Sequence, residues 1–193
     1  MPYAPEQKKK SRERILDAAL KLFKERGFEQ VSIDEVMAEA SLTRGAFYAH
    51  FTSKADLIAQ AILEVAGRPD PIVAELGTFA DFADTYISAR HRDNPAGGCA
   101  GAALTQSIAR EGPEARAAYT EFLKSFTALI DQYLGNEAHA QSDDALALLA
   151  QMIGTVQMAR AVSDPMLSTR ILKAGRQAVD YLLPPEDEAP ISQ

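Results

Sequence analysis

Residues 31–57 read VSIDEVMAEASLTRGAFYAHFTSKADL, and this stretch decides the fold. Ser32-Ile33-Asp34-Glu35 has the S-x-x-E form of a capping box, in which the serine accepts from the third amide and the glutamate reaches back. Ile33, Val36, Met37 and Ala40 then give a buried stripe at helical spacing over 32–40. Ser41-Leu42 breaks the helix. Thr43 is placed to cap a second short helix over 43–49. A further restart at Ser53, with Asp56 three residues on, opens a helix carrying Leu57, Ile58, Ala61, Ile62 and Val65 to about Ala66.

Upstream, Ile15, Ala19, Leu22 and Phe23 fall on one face of a helix running from Ser11 to Arg26. Gly27 follows where a left-handed C-cap is wanted. Two short helices joined by a tight break match a helix-turn-helix, whose second helix reads the major groove. Such a turn alone is common in helical proteins, and the residue choice raises its weight. Thr43, Arg44, Gly45, Ala46 and Tyr48 leave one face small and polar, so the backbone can approach a groove. Arg44 can bond guanine bidentately or hold a phosphate, and Thr43 can bond a phosphate or touch a thymine methyl. Gly45 costs about 1 kcal/mol of helix stability relative to Ala, a cost that close approach to DNA would explain.

These residues carry a family likeness. Val31 to Leu57, and above all Phe47-Tyr48-Ala49-His50-Phe51 followed by Lys54 and Leu57, resembles the F-Y-x-H-F-x-x-K-x-x-L signature of the TetR (TetR/AcrR) family of bacterial transcriptional regulators. The resemblance implies that Thr43, Arg44, Gly45 and Ala46 face base edges, while Tyr48, His50 and Lys54 reach backbone phosphates. Ser32, besides capping, would also bond a phosphate. Phe47 and Phe51 would close the core, and Lys8, Lys9, Lys10 and Arg12 would form a basic arm within 8–14. Many family members place Gly where this chain has Ser41, at a turn that calls for positive φ, which serine adopts less easily.

Composition frames the rest. Of 193 residues, 47% are apolar, Trp is absent and β-branched runs are missing, so the chain is expected to be globular and all-α. Net charge is −7, which alone argues against nucleic acid. Its distribution differs: residues 1–60 hold ten Lys/Arg against nine Asp/Glu, and residues 61–193 hold ten against eighteen. Five of the seven residues in 8–14 are basic, and local cations are what displace counterions from DNA; the alternative is a solvated helix start. No secretory signal or membrane span is legible, since Gln151, Gln157 and Arg160 interrupt the most apolar stretch, 145–162. A single cysteine suits a reducing cytoplasm.

Gly67-Arg68-Pro69-Asp70-Pro71 marks a junction between a helix-turn-helix domain at 1–66 and a larger helical domain at 72–184. Helices are expected at 78–91, 99–110, 113–134, 143–162 and 168–183, followed by an acidic, disordered tail at 185–193. The resemblance gives the larger domain two tasks: enclosing a small-molecule effector and forming a homodimer through 143–162 and 168–183. Periodicity by itself leaves intramolecular packing of those helices equally open. Cys99, Tyr119, Phe122, Phe126, Met152 and Gln157 are the candidate effector-binding residues, with an aromatic or amphiphilic effector expected.

Cys99 starts a helix after Asn94-Pro95-Ala96-Gly97-Gly98, a setting that lowers a thiol's pKa, with a buried packing role as the plainer alternative. No metal, no cofactor and no catalytic constellation are expected, since His91 and His139 lack partners at ligand spacing. The expected function is a ligand-responsive regulator, a repressor, bound as a homodimer to a pseudo-palindromic double-stranded DNA operator. A helical enzyme and a helical carrier are the competing classes.

Overall fold

The computed structural model describes residues 5–67, 77–136 and 141–183, so the tail expected at 185–193 and most of the 67–71 junction lie outside the described residues. Among the described residues there are ten helices and no strand. The chain divides into two compact units. One holds the described residues up to 67 with Ala103–Phe122; the other holds 77–102 and the described residues from 123 onward.

In the first unit α1 spans Pro5–Arg26, α2 Ile33–Glu39, α3 Arg44–Phe47 and α4 Lys54–Gly67. Gly27 ends α1 at φ +77°, its N–H on the Phe23 carbonyl at 2.8 Å. The capping box at Ser32 is complete: Glu35 N–H donates to Ser32 Oγ at 3.2 Å and Ser32 N–H to Glu35 Oε2 at 2.8 Å. Helix α2 closes with Ser41 at φ +53°, while Ser41 N–H reaches the Ala38 carbonyl and Leu42 N–H the Met37 carbonyl, both at 2.9 Å. That bond pair is a Schellman cap. Serine therefore takes the left-handed conformation that the turn demands. Ile15, Leu16, Phe23, Phe28, Met37, Phe47, Phe51, Leu57 and Ile62 form the core under these helices.

The later part of this unit comes from α7, Ala100–Ile108, and α8, Pro113–Tyr133, both of which continue across the division of the chain. Within it Leu104, Ile108, Ala115, Ala118 and Phe122 are buried, and the Thr105 and Tyr119 hydroxyls share a 2.5 Å hydrogen bond.

In the second unit the single helix expected over 78–91 is two: α5, Phe79–Tyr86, and α6, Ala89–Asp93. Ile87 leaves the helical region at ψ 65°, and Ser88 restarts the chain by accepting the His91 N–H at 3.1 Å. A β-branched residue followed by a serine offers the backbone local bonds that compete with the ladder. Helices α9, Asp143–Ala161, and α10, Pro165–Leu182, pair along their length. Asp164 caps α10 and Pro165 sits at its first turn, which starts that helix three residues before the expected 168. The two helices meet closely at Gly175, where a Cβ would lie 2.2 Å from Thr155 Oγ1. Asp131, fully buried, ties α8 to the start of α9 by accepting from Ser142 Oγ at 2.6 Å and Asn136 Nδ2 at 3.0 Å. Burial pushes this carboxyl up, but the Ser142 and Asn136 bonds outweigh it and hold it below the usual range.

Candidate nucleic-acid interface and ligand cavity

Helix α3 stands on a rigid base. Phe47 and Phe51 are buried beneath it, with ring centroids 5.6 Å apart. Thr43, Arg44 and Gly45 are exposed, and the Thr43 hydroxyl makes no cap bond, so its oxygen is available to an outside partner. A Cβ on Gly45 would meet only Thr43 Oγ1, at 4.0 Å, so no internal packing requires glycine. Tyr48 caps the end of α3 and leans edge-on against Phe47, yet stays 61% exposed.

His50 is half-buried. Burial holds its pKa down, and the charges of Lys8 and Arg12 push the same way, so the ring is neutral near pH 7. Lys8 and Arg12 of α1 are thus near enough to His50 to act on its charge.

Several expected DNA contacts carry partners within the chain. Arg44 Nη1 pairs with Asp34 Oδ2 at 2.8 Å. Lys54 Nζ donates to the Phe28 carbonyl at 2.5 Å, holding the loop after α1. Ser32 Oγ lies 2.7 Å from Glu35 Oε2. Within the basic arm, Arg12 reaches Gln60 and Glu64 and lies over the Phe51 ring, while Arg14 donates to the Ala40 carbonyl at 2.5 Å. Lys9 and Lys10 pair with Glu13 and Glu6 on α1 itself. Exposed pairs of this kind are worth about 0–1 kcal/mol and yield readily to a phosphate. The sequence hides Arg14's role because its partner is 26 residues away.

The second unit contains a cavity of about 130 Å³. Phe82, Thr85 and Tyr86 of α5 form one wall; Ser88, Arg90, His91 and Asn94 form another, and Gly97, Gly98 and Cys99 close it. His91 braces this arrangement. Its Nδ1 donates to the Tyr86 carbonyl at 2.7 Å and its Nε2 accepts the Cys99 N–H at 3.0 Å, a pairing that only the neutral ring protonated on Nδ1 can make. Gly98 is required here, since a Cβ would stand 2.5 Å from His91 Cδ2.

Arg160 of α9 braces the same segment from behind, donating to the carbonyls of His91 at 2.6 Å, Arg92 at 2.9 Å and Ala102 at 3.2 Å. Neither Gly98 nor Arg160 was legible as a site residue in the sequence; the glycine pair before Cys99 was the only available signal.

Of the expected effector residues, Cys99 lines this cavity and is buried, its Sγ accepting the Gly101 N–H at 3.3 Å. Phe126 stands one layer back, its ring 6.0 Å from Phe82 and 6.1 Å from Tyr86. Met152 is fully buried and Gln157 half-buried in α9, both outside the cavity lining. Tyr119 and Phe122 stack on each other in the first unit. Among the described residues no group of three or more His, Cys, Asp or Glu could hold a metal, and no helix is long and apolar enough to cross a membrane.

Comparison with known proteins agrees with this geometry. A model of bacterial regulatory proteins of the tetR family matches residues 15–61, from α1 into α4. TtgW, an uncharacterised HTH-type transcriptional regulator of Pseudomonas putida, is 41% identical over 64 residues, or 33% of this chain and 46% of that protein. The chain thus spans less than half the length of that relative. BdcR, an HTH-type transcriptional repressor of Escherichia coli, is 28% identical over 142 residues, covering 68% of this chain and 66% of that one. The crystal structure of reduced E. coli NemR superposes with a TM-score of 0.68 at 20% identity, over 90% of this chain and 97% of that chain. With its capped helix-turn-helix and these relatives, the segment 15–61 belongs to the TetR family of bacterial DNA-binding regulators, and the chain as a whole shares the fold of TetR-family structures.

Proposed function

We propose that this chain is a repressor that binds a pseudo-palindromic operator as a homodimer and leaves it when a small molecule occupies the second unit. The observation that carries the DNA-binding half is the exposed, polar surface of α3 over a buried Phe47–Phe51 base. Thr43, Arg44, Gly45 and Ala46 address base edges. Tyr48, His50, Ser32 and Lys54 anchor phosphates, Lys54 doing so with donors beyond the one on Phe28. The basic residues of 8–14 add cations from α1.

Dimerisation is supported by large apolar side chains exposed on α9 and α10: Leu146, Met158, Met166 and Tyr181, the last 89% exposed. A two-fold pair of such faces makes an isologous interface and sets two recognition helices against successive major grooves. BdcR, which matches over part of its length, is named a repressor, which supports that direction of control here. Residues 1–66 and 72–184 are the two functional domains, acting in a bacterial cytoplasm. An effector that favours one arrangement of the dimer lowers operator affinity by its difference in affinity between the two states.

The test is a gel shift with DNA upstream of the chain's own gene, comparing wild type with Arg44→Ala and Tyr48→Phe. Wild type should bind in a salt-sensitive manner and both variants should bind more weakly. Wild-type protein that retained no genomic fragment would end the repressor reading.

A further inference from the structure

We propose that the cavity beside Cys99 binds a compact, single-ring aromatic carboxylate, with the ring against Phe82 and Tyr86 and the carboxylate on Arg90. This rests on reading the second unit as the effector-responsive part and specifies the chemistry of its ligand.

Size comes first. The cavity's 130 Å³ is close to the ~150 Å³ of an apolar protein cavity that admits benzene, so a single ring fills it. Shape and chemistry agree, because Phe82 and Tyr86 present aromatic surface to the space.

Charge comes next. Among the described lining residues Arg90 is the one charged side chain, and none of them is a carboxylate. Arg90 is exposed and enters no ion pair found among the described residues, in contrast to Arg92, held by Asp93, and Arg176, held by Asp84. Arg160 stands behind the wall, its guanidinium fixed on the His91 and Arg92 carbonyls. The lining thus sets the aromatic faces of Phe82 and Tyr86 beside one cation, Arg90, with Thr85, Ser88 and Asn94 as neutral polar neighbours.

His91 supplies no competing charge, since both ring nitrogens are committed to the backbone in the neutral form. The glycine loop does not cradle a phosphate either. The Gly97, Gly98, Cys99 and Gly101 N–H groups are already bonded to Asn94, Pro95, His91 and Cys99. Anion recognition therefore falls to a guanidinium, which suits the planar, bidentate geometry of a carboxylate.

The experiment is calorimetric titration of the full chain with benzoate, benzyl alcohol and 2-naphthoate, repeated on Arg90→Gln. Benzoate should bind wild type, and Arg90→Gln should weaken it by about tenfold or more through loss of a charge-assisted pair. Benzyl alcohol should bind more weakly than benzoate and respond little to the substitution, and 2-naphthoate, whose second ring the cavity does not enclose, should gain no affinity over benzoate. No benzoate binding, equal binding of the alcohol, indifference to Arg90→Gln, or tighter binding of naphthoate than of benzoate would each overturn the assignment. An operator-release assay runs separately. Benzoate that binds but leaves the DNA complex intact keeps this assignment and refutes release by ligand; a chain that binds benzoate but no DNA refutes the repressor reading alone.

Discussion

Arg44 Nη1 lies 2.8 Å from Asp34 Oδ2, so the guanidinium of α3 is already held by a carboxylate of the preceding helix. In the proposed DNA complex, Asp34 would steer that guanidinium and set a negative charge near the incoming phosphates. Asp34→Asn should raise operator affinity several-fold at fixed salt and relax base discrimination, while changing stability by no more than about 1 kcal/mol. Fluorescence anisotropy on matched and mismatched operators reads both effects. Weaker binding by the variant would make Asp34 a positioning residue instead of a competitor.

Gly45 and Ser41 should differ in what their replacement does to DNA binding. A Cβ at Gly45 meets nothing closer than 4.0 Å, so Gly45→Ala should stabilise the fold by up to about 1 kcal/mol while weakening DNA binding. Ser41→Gly relieves a left-handed serine at φ +53° and should stabilise by about 1 kcal/mol with binding unchanged. Urea unfolding paired with operator titration separates the two. A Gly45→Ala protein that binds as wild type would remove close backbone approach from the DNA model.

Acid should weaken the first unit through Glu35. Hydrogen bonds from the Ser32 N–H and hydroxyl, and then from Arg26, lower its carboxyl from 4.5 to about 2. The unfolded chain therefore takes up that proton first as pH falls. Stability from this group is fully present above 4.5 and is lost on descending toward 2. Asp56, lowered mainly by the Thr52 N–H, adds to the same trend. Urea midpoints at about pH 5 and about pH 3 should differ less in Glu35→Gln than in wild type. An equal drop in both proteins would assign the acid sensitivity elsewhere.

Glycines of the second unit give a further contrast. Gly175→Ala places a methyl 2.2 Å from Thr155 side-chain atoms and should cost about 1–3 kcal/mol or more, with loss of the proposed dimer in light scattering. A Cβ on Gly154 has nothing within 4 Å in the single chain, so Gly154→Ala should stabilise by up to about 1 kcal/mol. If the second change also dissolves the dimer, Gly154 lies in the interface.

Gly98→Ala should push the His91 ring away, because the added carbon would stand 2.6 Å from Nε2. The Cys99 N–H then loses its acceptor, at a cost of about 1–3 kcal/mol. Thermal unfolding checks the stability, and the His91 ring resonances should shift in NMR spectra. Unchanged spectra would remove the bracing role of His91.

What was legible in the sequence was local. The Ser32–Glu35 box, the Gly27 cap and the buried faces of Phe47 and Phe51 all lie within a few residues of their causes, and all are in the structure. The break at Ile87 was missed because apolar periodicity runs on across it. Arg160's hold on three carbonyls joins residues at least 58 apart, and the Arg14 bond to Ala40 spans 26, so neither shows in spacing. The cavity was similarly hidden. Cys99 marked one edge of it, while Tyr119 and Phe122 pack in the first unit, a placement that aromatic spacing on a helix face does not reveal.

The left-handed Ser41 has a consequence for how this regulator can change over generations. A turn that tolerates strain leaves an easily reached reserve, one substitution away, at the joint between α2 and α3. A lineage that took glycine there could absorb destabilising replacements along Thr43–Ala46 and stay folded. New operator preferences would then become accessible in single steps. Stability at residue 41 thus bears on how freely the proposed DNA-reading surface can change.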